Sequence, residues 1–406
     1  MELFRITKLE MENIGPFGRL AMDFPEKPTG MKEKAEIHIL TGENGTGKTT
    51  ILEALVSGIS HNFYRTLNEK IRHSDFPNSF SVLFNRDRPF KISSSSPIDG
   101  SFKVESVNTF VENILSKKWS EVRPVAFFAY SGYRRIEHVK IDGIREITED
   151  PLSKSLDFQH SVNYELMFRW ISNTLAKEAL AKSEPDQTAA NKFRFAINSI
   201  ENTLSNIVDK NIHFSLSYDP LSVHFVLDGI KHNFNALPDG LKSMISWIGD
   251  LLMRMDRIPW ENNTPVFERN FILFLDEIEV HMHPAWQRKI LPAIQGLFPN
   301  AQIFISTHSP FVVGSVDGAW IHKLVKPNGD SHLAKEYPMV SEDAKSYQYW
   351  LDEVFGIREQ FGPEVEHDIK HFYTLRDAFL RGVNGQNSDK LIEIGRALAR
   401  QSAEVN

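Results

Sequence analysis

The decapeptide TGENGTGKTT, from Thr41 to Thr50, constrains the fold more than any other stretch of this sequence. It fits G-x-x-x-x-G-K-[ST], in which glycines let backbone N–H groups turn inward around phosphates, a lysine reaches the outer phosphates and a hydroxyl ligates Mg²⁺. The stretch AEIHIL before it and KTTILEALVSGI after it predict a buried strand, a phosphate-binding loop and a helix. The residues predicted to hold a nucleotide are Gly42, Glu43, Asn44, Gly45, Thr46, Gly47, Lys48, Thr49 and Thr50, with Thr49 also on the metal.

The composition narrows the class of protein. The chain has 406 residues and a formal net charge of −7, so it has room for about two domains and no overall positive field for nucleic acid. The absence of cysteine rules out disulfides, thiolate zinc sites and a cysteine nucleophile, and fits a reducing compartment. Residues 1–17 alternate like a strand rather than a signal peptide, and no apolar run approaches the roughly 20 residues that span a bilayer. We therefore expect a soluble, cytoplasmic protein with no membrane partner.

Strands and helices alternate along the chain, which predicts an α/β fold: a P-loop NTPase with a mostly parallel, doubly wound sheet. Two apolar stripes in residues 161–208 predict a helical hairpin whose arms are only about 30 Å long. The serine run Ser93–Ser96 predicts a surface loop. The predicted divisions are an N-terminal lobe with the P-loop (1–160), the hairpin insertion (161–210), a C-terminal lobe (211–340) and a helical region for oligomerisation or partner binding (341–406).

Two acidic residues follow a second apolar strand. In FILFLDEIE, the strand delivers Asp276 and Glu277 to its carboxyl end, the edge where open α/β sheets bind ligands. We expect Asp276 to hold the Mg²⁺ hydration shell, and Glu277 to be a catalytic residue that orients water for in-line attack on the γ-phosphate. The alternative is that both acids cap the following helix.

Two further motifs complete the predicted site. His308, in ISTHSP, is a candidate catalytic residue because a neutral imidazole there can hydrogen-bond the γ-phosphate, although a lone histidine is more often structural. In LPDGLKS, Asp239 and Gly240 begin a helix whose free N–H groups can bind an anion, and we expect a second chain to use them. The pair His281 and His283 could ligate a metal, but no third ligand is evident, so packing is the favoured interpretation.

The P-loop, LPDG, FLDE and STH occur in the order typical of ABC-type ATPases. Over residues 1–325 the chain resembles the branch that contains RecF, SMC-like and OLD proteins, the AAA_21-like ATPases. The resemblance implies an ABC-ATPase-type sheet, ATP and Mg²⁺ as cofactors, and a homodimer or higher oligomer in which two subunits enclose two ATP molecules. In such a dimer the signature helix of one subunit completes the P-loop site of the other, which would be the role of Asp239 and Gly240.

The sequence departs from this family at two places. Pro238 stands where a serine is usual, which removes a hydroxyl donor and leaves open whether hydrolysis is slowed. The family's Mg²⁺-linked glutamine has no clear equivalent, and Gln159 is a candidate by its order alone. Arg134 and Arg135 could serve phosphate or a partner, and a solvated turn is an equal alternative.

The C-terminal region resembles that of the PtuA ATPases of bacterial Septu anti-phage systems and their retron-associated forms. Such ATPases form oligomers and hold a separate nuclease. No D-x-D or H-N-H arrangement follows His308, so we expect an ATPase without nuclease activity of its own that regulates a separate effector nuclease, of HNH or Toprim type. Nucleic acid would be contacted through that complex. The alternative is a RecF- or SMC-like repair or recombination ATPase that binds DNA directly, which salt-sensitive DNA binding would support.

An aromatic cluster at the start of the tail suggests an interface. Within YQYWLDEVFGI, the sequence concentrates more apolar side chains than a short helical hairpin needs to bury. We therefore expect residues 341–406 to contact another chain. The clustered residues are Tyr347, Tyr349, Trp350, Phe355 and Ile357.

Overall fold

The computed structural model describes most of the chain. The residues described are 2–60, 67, 70, 77–94, 103–118, 120–132, 145–158, 160, 162–183, 188–219, 221–261, 264–326, 335–342, 344–359, 361–380 and 387–401. Their contacts divide the chain into two compact units, Met1–Trp350 and Leu351–Asn406.

Strands and helices alternate as the sequence predicts. The strands are β1 (Ile6–Ile14), β2 (Phe17–Asp23), β3 (Glu36–Gly42), β4 (Asn78–Phe84), β5 (Phe90–Ser94), β6 (Lys103–Ser106), β7 (Ala126–Tyr130), β8 (Ile212–Tyr218), β9 (Leu221–Leu227), β10 (Ile230–His232), β11 (Phe271–Leu275), β12 (Ala301–Ser306), β13 (Trp320–Val325) and β14 (Lys335–Val340). The helices are α1 (Lys48–Ile59), α2 (Thr109–Leu115), α3 (Tyr164–Ala181), α4 (Thr188–Val208), α5 (Asp239–Arg257), α6 (Pro284–Leu297), α7 (Pro310–Val313), α8 (Tyr347–Trp350), α9 (Pro363–Leu380) and α10 (Asn387–Gln401). Short 3₁₀ turns lie at Phe234–Ala236 and Val266–Glu268, and a π-helical turn at Leu351–Phe355.

A six-stranded sheet positions the candidate site. Its order is β14-β13-β3-β12-β11-β7, and every neighbouring pair is parallel except β13 with β14. Strands β3, β7, β11 and β12 are buried along their whole length, as expected for a parallel sheet covered on both faces. This arrangement confirms the predicted P-loop α/β fold, and it brings the carboxyl ends of five parallel strands to one edge.

A second, antiparallel sheet covers one side of α1. Its order is β2-β1-β4-β5-β6. Helix α1 lies between the two sheets, where a Cβ on Gly58 would fall 2.3 Å from the side chain of Val82 on β4. Because both sides of the helix are covered, its burial extends well beyond a single apolar stripe. The sheet fixes the helix that follows the P-loop.

The prediction of a surface loop at Ser93–Ser96 is wrong for its first two residues. Ser93 and Ser94 end β5 and pair with Ser79 and Asn78 of β4. Ser95 and Ser96 lie outside the described residues. The strand begins with Phe90 and Ile92, which are fully buried and pack in the core around α1, so burial of these two side chains outweighs the low strand propensity of serine.

The predicted helical hairpin is formed by α3 and α4. These helices, of 18 and 21 residues, pack on each other, on α5 and on β8. Strand β8 is one edge of a three-stranded antiparallel sheet, β10-β9-β8. At 1.5 Å per residue the arms measure about 30 Å, as expected for a short insertion.

Part of the predicted aromatic cluster is used by the first unit itself. Trp350 is buried, and a Cβ on Gly314 would lie 2.5 Å from its Cδ1 atom. The ring of Tyr347 lies 5.0 Å from that of Phe311. These two aromatic residues therefore have packing partners in the first unit, whereas Tyr349 is partly exposed.

The second unit contains the helices α9 and α10, which pack on each other. A Cβ on Gly395 of α10 would lie 3.2 Å from the ring of Phe372 on α9. Leu398 is buried, but α9 has no buried residue.

Candidate nucleotide-binding site

The P-loop connects β3 to α1 and has the backbone that the glycines predict. Its φ angles are 146° at Gly42, 74° at Gly45 and 96° at Gly47, which side chains rarely adopt. A Cβ on Gly42 would lie 2.2 Å from the carbonyl oxygen of Leu324, and one on Gly47 would lie 2.6 Å from the ring of Phe17. These glycines are required both for the conformation of the loop and for its close approach to neighbouring strands.

Lys48 folds its side chain into this loop. Its Nζ donates to the carbonyl oxygens of Gly42 at 2.9 Å and Glu43 at 3.0 Å. Burial lowers the pKa of Lys48 to about 8, although the carboxylates of Asp276 and Glu277 oppose that change. The ammonium group is thus held within the turn where a phosphate would lie, and its hydrogen-bond partners among the described residues are the two carbonyl oxygens.

Thr49 and Asp276 converge as the sequence predicts. The Thr49 hydroxyl lies 3.2 Å from Oδ1 and 3.1 Å from Oδ2 of Asp276. Asp276 is the residue after β11, and its N–H donates to the carbonyl oxygen of Tyr130 at 2.9 Å. Ser306, at the end of β12, donates its hydroxyl to Asp276 Oδ1 and accepts the N–H of Glu277 at 2.8 Å. Sequence reasoning missed Ser306, since its role depends on β12 lying between β3 and β11.

Glu277 has a backbone conformation unusual for its type. Its φ is 47°, in the left-handed region that only a few per cent of non-glycine residues adopt. Its side chain lies against Gly132, where a built Cβ would fall 2.5 Å from Glu277 Cβ and 3.1 Å from Oε2. Such strain at a polar residue is typical of functional sites.

A carboxylate absent from the predicted site holds the backbone at His308. Glu279 accepts the Thr307 hydroxyl at 2.8 Å and the His308 N–H at 2.6 Å, one with each carboxylate oxygen. Burial raises the pKa of Glu279, although these two hydrogen bonds oppose the effect. The signal that could have found this residue is the third acid in DEIE, two positions after Glu277.

His308 lies close enough to Lys48 and Asp276 to be influenced by both charges. Partial burial and the positive charge of Lys48 lower the pKa of His308, and Asp276 opposes them. The imidazole is therefore neutral at pH 7, the form in which it can donate one hydrogen bond and accept another. The predicted catalytic histidine thus lies in the same site as Lys48 of the P-loop and Asp276.

The start of α5 makes its contacts elsewhere in the chain. Gly240 is buried, and a Cβ there would lie 2.3 Å from the carbonyl oxygen of His281. Asp239 is exposed and lies 3.3 Å from Lys242 Nζ, while Pro238 is the N-cap and provides no side-chain hydrogen bond. Within the described residues these contacts do not involve the P-loop. The close packing against His281 by itself explains why a glycine stands at position 240.

Four other residues singled out in the sequence are His283, Gln159, Arg134 and Arg135. His283 is the N-cap of α6, with Nδ1 accepting from Ala285 N at 3.2 Å. The candidate glutamine Gln159 and the arginines Arg134 and Arg135 lie outside the described residues.

The donor set fits a nucleotide with Mg²⁺. One hydroxyl and one carboxylate, within 3.2 Å of each other, are the hard oxygen ligands that Mg²⁺ takes when phosphates complete its shell. The adjacent loop provides positive-φ glycines, a lysine and the N-terminus of α1, which is the general construction of a phosphate site.

Two family models match the chain. A family model named AAA_21, described as "AAA domain, putative AbiEii toxin, Type IV TA system", matches residues 62–314. A second model, AAA_27, described as "AAA domain", matches residues 4–74, which include the P-loop.

Individual proteins resemble the chain over most of its length. A Septu protein PtuA from Bacillus thuringiensis is 24% identical over 398 residues, covering 96% of this chain and 91% of that protein. A retron Ec83 probable ATPase from Escherichia coli is 23% identical over 398 residues, covering 79% of this chain and 71% of that protein. A solved SMC head, bound to the C-winged helix domain of ScpA, has a TM-score of 0.50 at 13% identity and covers 84% of this chain and 98% of that one. This last likeness concerns the fold alone.

In the described part of the chain, no helix combines the length and the apolar character that crossing a bilayer requires.

Proposed function

The chain belongs to the AAA_21 family, and on that premise we propose that it is an SMC- and ABC-like ATPase that binds and hydrolyses ATP and controls a separate effector nuclease in anti-phage defence. The observation that carries the ATPase part is the convergence of Thr49 and Asp276 beside the lysine of a P-loop. Lys48 and Thr49 at the start of α1 and Asp276 at the end of β11 meet at one edge of the sheet, an arrangement suited to nucleotide hydrolysis.

The P-loop would bind the phosphates, and Thr49 with the acid after β11 would bind the metal ion. The N–H groups of residues 42–47 and the ammonium of Lys48 would hold the phosphates, and Lys48 would exchange its two carbonyl partners for phosphate oxygens. Thr49 and Asp276 would hold Mg²⁺, Asp276 with its position fixed by Ser306. When bound, the ion neutralises charge on the β- and γ-phosphates.

Glu277 is the proposed base for hydrolysis. It follows Asp276 directly and has a left-handed backbone conformation. Its carboxylate would accept a hydrogen bond from water and orient that water for attack. His308 is neutral and would donate a hydrogen bond toward the γ-phosphate. Glu279 would act as a positioning residue, because it fixes the backbone of His308 through a bond to its N–H.

A second copy of the chain is part of the proposal. The N-terminus of α5 has an exposed Asp239 and no side-chain cap, and this helix start would contact a nucleotide held by another subunit. The support for this arrangement is the resemblance to ATPases that close as dimers. Gly240 gives no independent support, since it packs against His281 in its own chain.

The Septu and retron relatives are the reason for preferring phage defence over DNA repair. Both cover more than two thirds of this chain, and the match to the Septu protein, at 96% of the chain, must include most of the tail. We infer that the tail holds further subunits or the effector, and that nucleic acid is contacted through that complex. Direct, salt-sensitive DNA binding by the isolated chain would favour the repair alternative.

The ATPase proposal is tested by separating binding from turnover. Glu277→Gln keeps the shape and polarity of the side chain but cannot accept a proton, so ATP affinity should stay within about twofold while turnover falls by about 100-fold or more. Lys48→Ala should lose binding as well. Calorimetric titration with ATP and a phosphate-release assay measure the two quantities.

Two results would count against the assignment. Unchanged turnover in Glu277→Gln would remove Glu277 from the reaction. Equal ATP affinity of the wild type and Lys48→Ala would place the nucleotide elsewhere, or show that the chain does not bind one.

A further inference from the structure

A second lysine lies on the opposite side of the P-loop from Asp276. Strand β13 pairs with the end of β3, where Leu324 lies opposite Gly42. Lys326 is the residue that directly follows β13. Its Nζ donates to the carbonyl oxygen of Asn44 at 3.2 Å. It also lies 3.2 Å from the position that a Cβ on Gly45 would occupy. The parallel strand therefore delivers a second ammonium group directly to the loop.

The charge of Lys326 is not neutralised by the described residues. Its hydrogen-bond partner is a carbonyl oxygen, and it forms no ion pair with a described carboxylate. It is near enough to Lys48 that its charge is one cause of the lowered pKa of Lys48, after burial. Two like charges beside one loop repel each other, and an anion between them would relieve that cost.

We propose that Lys326 is a second polyphosphate-binding residue of the nucleotide site. The inference rests on the proposed function, since it requires that the P-loop binds a nucleoside polyphosphate. Lys326 reaches the loop from β13 while Lys48 reaches it from α1, so the two ammonium groups approach the loop from different elements. A ligand with several negative charges can contact both, whereas a single inorganic phosphate would gain less from the second.

Lys326 could instead serve only to fix the loop through Asn44. The two roles differ in what they require. Holding the carbonyl of Asn44 needs an N–H donor, which glutamine also supplies, whereas attraction of polyphosphate needs the positive charge. Lys326→Gln therefore separates them, and Lys326→Arg keeps both the donor and the charge.

The experiment is calorimetric titration of the full chain with ATP and Mg²⁺ at about 0.05, 0.1 and 0.3 M salt, a range over which screening grows strongly. Lys326→Gln and Lys326→Ala should each weaken ATP binding by about tenfold at the lowest salt, and by less as salt screens the charge. Lys326→Arg should stay within about twofold of the wild type. The control Lys103→Gln removes the same charge from the exposed edge strand β6 and should change nothing.

The outcomes separate the inference from the function on which it rests. If the wild type binds ATP, Lys48→Ala does not, and Lys326→Gln binds like the wild type at every salt concentration, the inference is wrong and the proposed function stands. A loss in Lys326→Ala but not in Lys326→Gln assigns Lys326 to fixing the loop and also overturns it. If the wild type itself binds no ATP, the proposed function fails first.

Discussion

At the scale of single residues, the lowered pKa of Lys48 has a consequence for nucleotide affinity. In the site without nucleotide, burial lowers the pKa of Lys48 to about 8, so its ammonium form predominates below that pH and is lost above it. If phosphate binding needs the charge, affinity should be nearly constant up to about pH 7.5 and then fall, by about fivefold between pH 8 and pH 9. Calorimetric titration with ATP across pH 6.5–9.5, a window of about three units, measures this dependence.

The matched control for this pH dependence is Lys48→Arg. A guanidinium stays charged throughout the range, so its affinity, even if weaker, should not change between about pH 7 and 9.5. His308 does not interfere, because its pKa is lowered and it is neutral over most of the window. The other charged groups near Lys48 are Asp276, Glu277, Glu279 and Lys326. Wild-type affinity that does not fall by pH 9.5 would contradict the assigned role of the Lys48 charge.

The site residues that sequence could predict are those inside one contiguous motif. The P-loop and DEIE each place their residues by local geometry, so Lys48, Thr49 and Asp276 follow from spacing. Ser306 and Lys326 do not, because each reaches the site only through the order of strands in the sheet. That order depends on pairing between segments more than 200 residues apart in sequence, for instance β3 with β12.

At the scale of elements, the turn after β7 sets the position of the proposed base. Gly132 lies directly against Glu277, and a Cβ there would be 2.5 Å from Glu277 Cβ, closer than real contacts allow. Gly132→Ala should therefore displace the carboxylate by up to about 1 Å, and a shift of that size can cost about 100-fold in rate. We expect turnover to fall while ATP affinity is preserved, as measured by phosphate release and titration.

The control for this variant is Gly296→Ala on α6, where a Cβ would meet nothing within 4 Å. It introduces the same methyl group and should leave both turnover and affinity unchanged. If Gly132→Ala hydrolyses ATP at the wild-type rate, the close contact does not set the position of Glu277. If both affinity and turnover fall together, the turn supports the whole site rather than the base alone.

Elements with a clear apolar pattern could be predicted from the sequence. The partners of polar residues buried inside strands could not. Strand β3 contains Glu36 and His38, and both are buried. His38 hydrogen-bonds Glu36 at 3.0 Å and His322 of β13 at 3.1 Å, and burial lowers its pKa to about 4. Alternation shows that such residues are interior, but only the strand order shows that they satisfy each other across the sheet.

At the scale of the whole molecule, the division of the chain determines which surface a partner can use. The structure separates the units after Trp350, ten residues beyond the start of the predicted tail region. Ser341 belongs to the first unit, where its hydroxyl accepts the N–H of Ala319 at 2.8 Å. Deleting residues 341–406 would therefore damage the first unit, and point substitutions in the second unit give a sharper test.

The exposed apolar residues of α9 provide these substitutions. Phe379 is 46% exposed and Leu380 is 74% exposed, on a helix with no buried residue. If the second unit contacts another chain, the double variant Phe379→Ser, Leu380→Ser should leave ATP affinity unchanged and lose either higher assembly or retention of a co-expressed effector. Light scattering gives the mass, and co-purification with the products of neighbouring genes gives the retention.

The hairpin offers a matched control, because it also exposes one leucine and one phenylalanine. Leu180 is 70% exposed and Phe195 is 55% exposed. Leu180→Ser, Phe195→Ser removes the same side-chain types from the first unit, so a general effect of surface polarity would appear in both variants. Loss of assembly only in the α9 variant assigns the contact to the second unit. Loss only in the hairpin variant moves the connection between ATP and effector to α3 and α4, and an unchanged mass and partner in both would show that neither surface makes that contact.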